Sequence, residues 1–143
     1  MCYTCDIYEI NNRTLLFLQI VLGGNMTIKE CYEQFGGDYD DVFTRLQSEA
    51  LIERFMNKFL DDKSMESLKS AVLNKQIEDA FKAAHTLKGV AGNLSYTNLQ
   101  KAVSALTEQL RPCNDYADET LFAEVVKQYD LVIKTIEEYL NSK

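Results

Sequence analysis

At 143 residues, with 46% apolar side chains and a single proline, the chain is sized and composed for one packed domain. Ala, Leu, Glu, Lys and Gln fill its long segments, which favours helices over strands. A formal net charge of -7 without a dense Lys/Arg cluster argues against nucleic-acid binding, which needs a basic surface for the phosphates.

In chain order, residues 1–25 read differently from the rest. They hold Cys2 and Cys5 in a lone C-x-x-C, the apolar run from Thr14 to Leu22, and Gly23-Gly24-Asn25 just before Met26. The run is too short to span a bilayer, and Asp6 and Glu9 stand where a signal peptide would be positive. The expectation is a cytoplasmic protein with no membrane partner. Cys2, Cys5, Cys31 and Cys113 do not form a disulfide framework, and the C-x-x-C lacks a second pair or a nearby histidine to complete a zinc site. Two readings stand for residues 1–25. One makes Met26 the native start and the preceding residues a translated upstream leader, whose Gly and Asn codons can encode a purine-rich ribosome-binding sequence. The other is a genuine extension that packs its apolar run on the domain.

From Thr27 the pattern becomes regular. Thr27-Ile28-Lys29-Glu30 has the form of a capping box, predicting a short helix that Gly36-Gly37 ends. A second short helix is expected near Asp40 to Leu46. Ser48 caps a third carrying Leu51, Ile52, Phe55, Met56, Phe59 and Leu60, and Ser64 opens a fourth that stops near Asn74. A long helix follows over about Gln76 to Leu94. Thr97-Asn98-Leu99-Gln100 reads as another capping box, starting a helix with Leu99, Ala102, Val103, Leu106 and Leu110 inward. After Pro112 the last helix runs from about Asp118 to Leu140. Short links between long amphipathic helices imply antiparallel neighbours. The predicted fold is all-α: an antiparallel four-helix bundle with two short N-terminal helices.

The long helix carries the only histidine, His85. Its core stripe is Ile77, Ala80, Ala84, Leu87, Ala91 and Leu94, at steps of three and four, and His85 flanks that stripe rather than joining it. Lys88 at i+3 and Gly89 at i+4 share its strip, an arrangement suited to an anion on the ring and a close visitor. If the chain turns near Ser95 and Tyr96, His85 lies at equal rise with Leu106 or Thr107 on the next helix. Leu106 belongs to the buried stripe, so Thr107 is the residue expected to bond one imidazole nitrogen and leave the other outward.

Ala84-His85-Thr86-Leu87-Lys88-Gly89, followed by Ala91-Gly92-Asn93-Leu94 and by Leu99 with Ala105-Leu106-Thr107, resembles the histidine-containing phosphotransfer (HPt) domains of bacterial phosphorelays. The resemblance covers roughly residues 26 to 142, giving an HPt domain over 26–143. It implies that His85 accepts a phosphoryl group from a receiver-domain phospho-aspartate and passes it to another receiver's aspartate. Lys88 then offsets phosphoryl charge, and Gly89 opens the approach, at a helix cost of about 1 kcal/mol relative to Ala. Lys82, at i-3, is either accessory charge or a solvated surface lysine. Many family members carry Gln or Glu where this chain has Thr107. The implied partners are receiver domains of response regulators or hybrid histidine kinases, met by a monomer. The resemblance assigns no ATP site, metal or cofactor to this chain, the Mg²⁺ belonging to the receiver.

An independent enzyme finds no support, since the sequence has neither a P-loop nor a carboxylate-histidine metal pattern. The competing reading is a degenerate helical module that binds receivers without phosphotransfer.

Overall fold

The computed structural model describes residues 25–111 and 115–142. The two readings of residues 1–25 therefore lie, Asn25 apart, outside the described residues, as do Cys2, Cys5, Pro112 and Cys113.

Within them the architecture is all-helical, with seven helices where the expected four-helix bundle and two short N-terminal helices make six: α1 Ile28–Phe35, α2 Tyr39–Leu46, α3 Glu49–Leu60, α4 Ser64–Leu73, α5 Ile77–Asn93, α6 Thr97–Leu110 and α7 Glu119–Asn141. Consecutive long helices pack on one another, α4 on α5, α5 on α6 and α6 on α7, while α7 also receives α1 and α3. None of the described helices is long and apolar enough to cross a membrane.

The helix starts show where local chemistry suffices and where tertiary structure substitutes for it. Thr27 and Glu30 form the reciprocal capping box, Asp38 caps α2, and Ser48 accepts from the Leu51 N–H. At α4 the helix starts at Ser64, as expected; its N-cap Lys63 makes no side-chain cap, and the Ser64 N–H donates to the upstream carboxylate Asp62 Oδ1 at 2.8 Å. The box expected at Thr97 does not form. Thr97 is already helical, and no side chain caps α6. The Asn98 N–H donates instead to the Gly36 carbonyl at 3.1 Å. A distant loop thus supplies one acceptor for the N–H groups that every helix start leaves open.

The turn between α5 and α6 is a structural junction. Ser95 adopts φ 58, a left-handed conformation that disfavours a residue with a Cβ. Its hydroxyl donates to Asp41 Oδ2 at 2.6 Å and accepts from Arg45, and its carbonyl accepts from the Asp38 N–H at 2.8 Å. The bonds that hold this strained residue also strap α2 to the hairpin. Beside it, Tyr32 donates its hydroxyl to the Leu94 carbonyl at 2.8 Å, and Tyr96 meets Phe35 and Phe59 edge-on. This buried aromatic group seals the end of the bundle that α1 covers.

The core stripe of α5 follows the 3.6-residue period. Ala80, Ala84, Leu87 and Ala91 are fully buried, and Ile77 is half-buried. Its small residues let α4 and α6 approach closely on either side. His85 is left exposed on the remaining face, eight residues before the helix end, or about 12 Å along the axis.

Candidate functional site

On α5 the spacing of three and four residues gathers Phe81, Lys82, His85, Lys88 and Gly89 on one strip. His85 is exposed, Lys88 half-buried and Gly89 exposed. A lysine reaches such partial burial by laying its methylene stem along the protein while the ammonium stays in water.

The two lysines are not equivalent. Lys82 Nζ lies 3.7 Å from Glu78 Oε1, and both side chains are largely exposed, so part of its charge is already answered one turn back. Lys88 has no ion pair among the described residues, leaving its ammonium available to an incoming anion at i+3 from the imidazole.

Gly89 has no role in internal packing. A Cβ built there meets nothing within 4 Å, whereas one at Gly36 or Gly37 runs into Asn98 or into Tyr32 and Phe35. Glycine inside a helix costs about 0.8–1 kcal/mol relative to alanine. Gly36 lies outside α1 as its left-handed C-cap and bears no such cost, whereas Gly89 sits inside α5 and the fold gives no reason for it. The open space lies on the imidazole's own strip, one turn further along α5.

Thr107, expected to meet an imidazole nitrogen, is fully buried, and its hydroxyl donates to the Val103 carbonyl of its own helix at 2.7 Å. No hydrogen bond joins it to His85 among the described residues. A threonine surrounded by apolar neighbours satisfies its hydroxyl locally in this way, four residues back along the helix. What the ring does meet is Phe81, one turn earlier, with centroids 6.1 Å apart and planes 18° from parallel. The Arg111 guanidinium, at the end of α6, lies 5.6 Å from the centroid of the same phenyl ring.

One to three turns beyond His85, α5 borders an open groove of about 420 Å³ lined by Leu46, Phe55, Phe59 and Val90 together with Arg45, Lys58 and Asp62. Neither this groove nor the Phe81 contact was anticipated from the sequence. The Phe81–His85 spacing of four was visible there; the groove depends on how α2 and α3 lie against α5, which no local pattern encodes.

Among the described residues, no group of three or more His, Cys, Asp and Glu side chains is gathered as a metal site. Cys31 is a free, fully buried thiol, pushed up to about 12 by desolvation and then by the charge of Glu138. Burial in apolar surroundings makes such a thiol inert.

A family model described as Hpt domain matches residues 50–139, a stretch from the start of α3 to the last turns of α7. No curated protein and no solved structure matches the chain significantly.

Proposed function

The chain belongs to the Hpt domain family, whose members are phosphorelay phosphocarriers that interact with receiver domains, and from that membership we propose that His85 is the phosphoacceptor. The observation that carries the proposal is the open, unpacked Gly89 beside an exposed imidazole. A surface histidine on a structural bundle would not call for a mid-helix glycine that the fold itself does not use.

In this reading α4 to α7 form the antiparallel four-helix bundle, and α5 presents His85 to one receiver at a time, the chain acting as a monomer. An imidazole nitrogen attacks the phosphorus of the receiver's phospho-aspartate. The N–P bond forms as the acyl P–O bond breaks, and the aspartate leaves as a carboxylate. The reverse step delivers the phosphoryl group to the aspartate of a second receiver, so this chain ends unchanged. Lys88 sets positive charge beside the transferring group, where it acts most strongly if the docked receiver excludes water. The receiver supplies Mg²⁺, and the phospho-aspartate supplies the driving force, so an ATP site has no part in the step. The groove lined by Leu46, Phe55, Phe59 and Val90, with Arg45, Lys58 and Asp62 among its polar residues, is a mixed apolar and charged surface against which the receiver docks.

The test is transfer of labelled phosphate from a phosphorylated receiver in the presence of Mg²⁺, comparing the wild type with His85→Gln. Acid-labile, base-stable phosphate is expected on the wild type and none on the variant. Complex formation with no phosphohistidine on the wild type would favour the receiver-binding module instead.

A further inference from the structure

An exposed imidazole on a helix has several side-chain rotamers open to it, and in-line transfer requires one ring orientation. No hydrogen bond to His85 sets that orientation among the described residues, since Thr107 is turned to Val103. The nearly parallel Phe81 ring is the contact that remains. We propose that Phe81 is the positioning residue of His85, with Arg111 holding Phe81 in place.

The geometry supports each link. A spacing of four puts the two rings on neighbouring turns of one face, and their separation falls within the range at which offset-stacked rings attract. Phe81 is itself constrained, being half-buried against the core cluster. Its ring also carries the Arg111 guanidinium at 5.6 Å, a cation–π contact. Arg111 is held in turn by Glu108 at 3.1 Å, and its positive charge suits the C-terminal end of α6. The imidazole plane is thereby tied to two helices rather than one.

A stacked ring orients an imidazole without using either nitrogen. A hydroxyl or amide would occupy one nitrogen and select the tautomer. Stacking fixes the plane and leaves both edge nitrogens for solvent, for the phosphoryl group and for the receiver. Two consequences separate this device from a hydrogen-bonded one. The His85 ring protons feel the ring current of Phe81, and its tautomer ratio stays near that of imidazole in water.

The inference rests on His85 being the phosphoacceptor, so the experiment has one arm that reads positioning and another that reads transfer. Side-chain NMR of His85 is compared in the wild type, Phe81→Leu, Phe81→Tyr and Arg111→Ala, using the full chain. Leucine keeps the apolar contact with the core but removes the ring. The ring-current shift is expected to vanish in Phe81→Leu, persist in Phe81→Tyr and weaken in Arg111→Ala. The single-turnover rate with saturating phosphorylated receiver is expected to fall about five- to tenfold in Phe81→Leu, as it does when a reacting group loses its alignment, and to recover in Phe81→Tyr. Wild-type ring shifts or a wild-type rate in Phe81→Leu would overturn the inference, as would a single tautomer locked in the wild type. A wild type that forms no phosphohistidine would instead overturn the phosphocarrier reading, while the NMR arm still decides whether Phe81 sets the ring.

Discussion

Replacing Gly89 by alanine is expected to strengthen the fold and weaken the function. A Cβ at this position meets nothing within 4 Å, so the substitution adds no clash and buries no methyl group. The stability change reduces to helix propensity, about 0.8–1 kcal/mol in favour of alanine. For a chain between the small and mid-sized classes, that corresponds to a rise of about 3–5 °C in Tm. The same methyl projects from the imidazole's strip, where, in the proposed phosphotransfer, the receiver's active site comes within bonding distance of His85. Inserting a methyl group into a closely packed contact costs about 1–3 kcal/mol, a factor of roughly 5 to 150 in receiver affinity or transfer efficiency. Urea unfolding gives the first number, and single-turnover phosphotransfer at varied receiver concentration gives the second. A destabilised Gly89→Ala chain would show that the glycine serves the fold. A stabilised Gly89→Ala together with a Gly89→Leu chain that docks and transfers normally would refute the access argument.

Lys88→Ala is expected to slow transfer by about one to two orders of magnitude while stability stays within about 0.5 kcal/mol; Lys82→Ala should slow it less, because Glu78 already answers that charge, and equal effects of the two would remove the distinction. At the α5–α6 turn, Ser95→Ala keeps the strain of φ 58 and loses the bonds to Asp41 and Arg45, whereas Ser95→Gly loses the bonds but relieves the strain. The alanine variant is therefore expected to unfold at lower urea, by about 1 kcal/mol relative to glycine, and the reverse order would contradict the left-handed turn. Cys31 titrates from a reference of 9.0 up to about 12 in the folded chain, so the folded state holds the proton more tightly. That contribution is complete below pH 9 and is lost as pH rises from about 9 toward 12, by at most about 1.4 kcal/mol per pH unit. Cys31→Ala should flatten the alkaline stability profile measured by urea midpoints, even though burial also raises the Tyr32 and Tyr96 hydroxyls, and an unchanged slope would show that the thiol is not the titrating group.

What could be read from the sequence was what depends on neighbours within a few residues. The stripe from Ala80 to Ala91 placed the buried face of α5 and left His85 beside it, because a helix repeats every 3.6 residues whatever it packs against. Thr27 and Ser48 act as caps because each bonds an N–H within its own first turn. The reading was incomplete where a partner comes from far along the chain. Thr97 had the right spacing for a cap, but Gly36 supplies the acceptor to Asn98. For Thr107 the equal-rise argument does not specify rotation about the helix axis, and its hydroxyl turns back to Val103. Arg111 was invisible for the same reason: its place over Phe81 is set by the packing of α5 on α6.

The site strip also separates what the fold requires from what it merely tolerates. Leu87, two residues from His85, is fully buried, and truncating it to alanine would cost about 2–5 kcal/mol. Every residue on the core stripe is explained in this way, by what it packs against inside the molecule. The neighbouring strip has no such explanation: an exposed imidazole, a lysine without an ion pair among the described residues, and a glycine whose missing side chain faces open space. Any one of them is ordinary on a protein surface. Gly89 alone carries an intrinsic helix penalty of about 1 kcal/mol, with no compensating contact in the chain. If that penalty is offset, it is offset in a complex, and the partner must then come close enough to α5 for a single methyl group to obstruct it. A receiver reaching the His85 nitrogen comes that close, whereas a partner bound only in the groove bordered by Val90 has no need to.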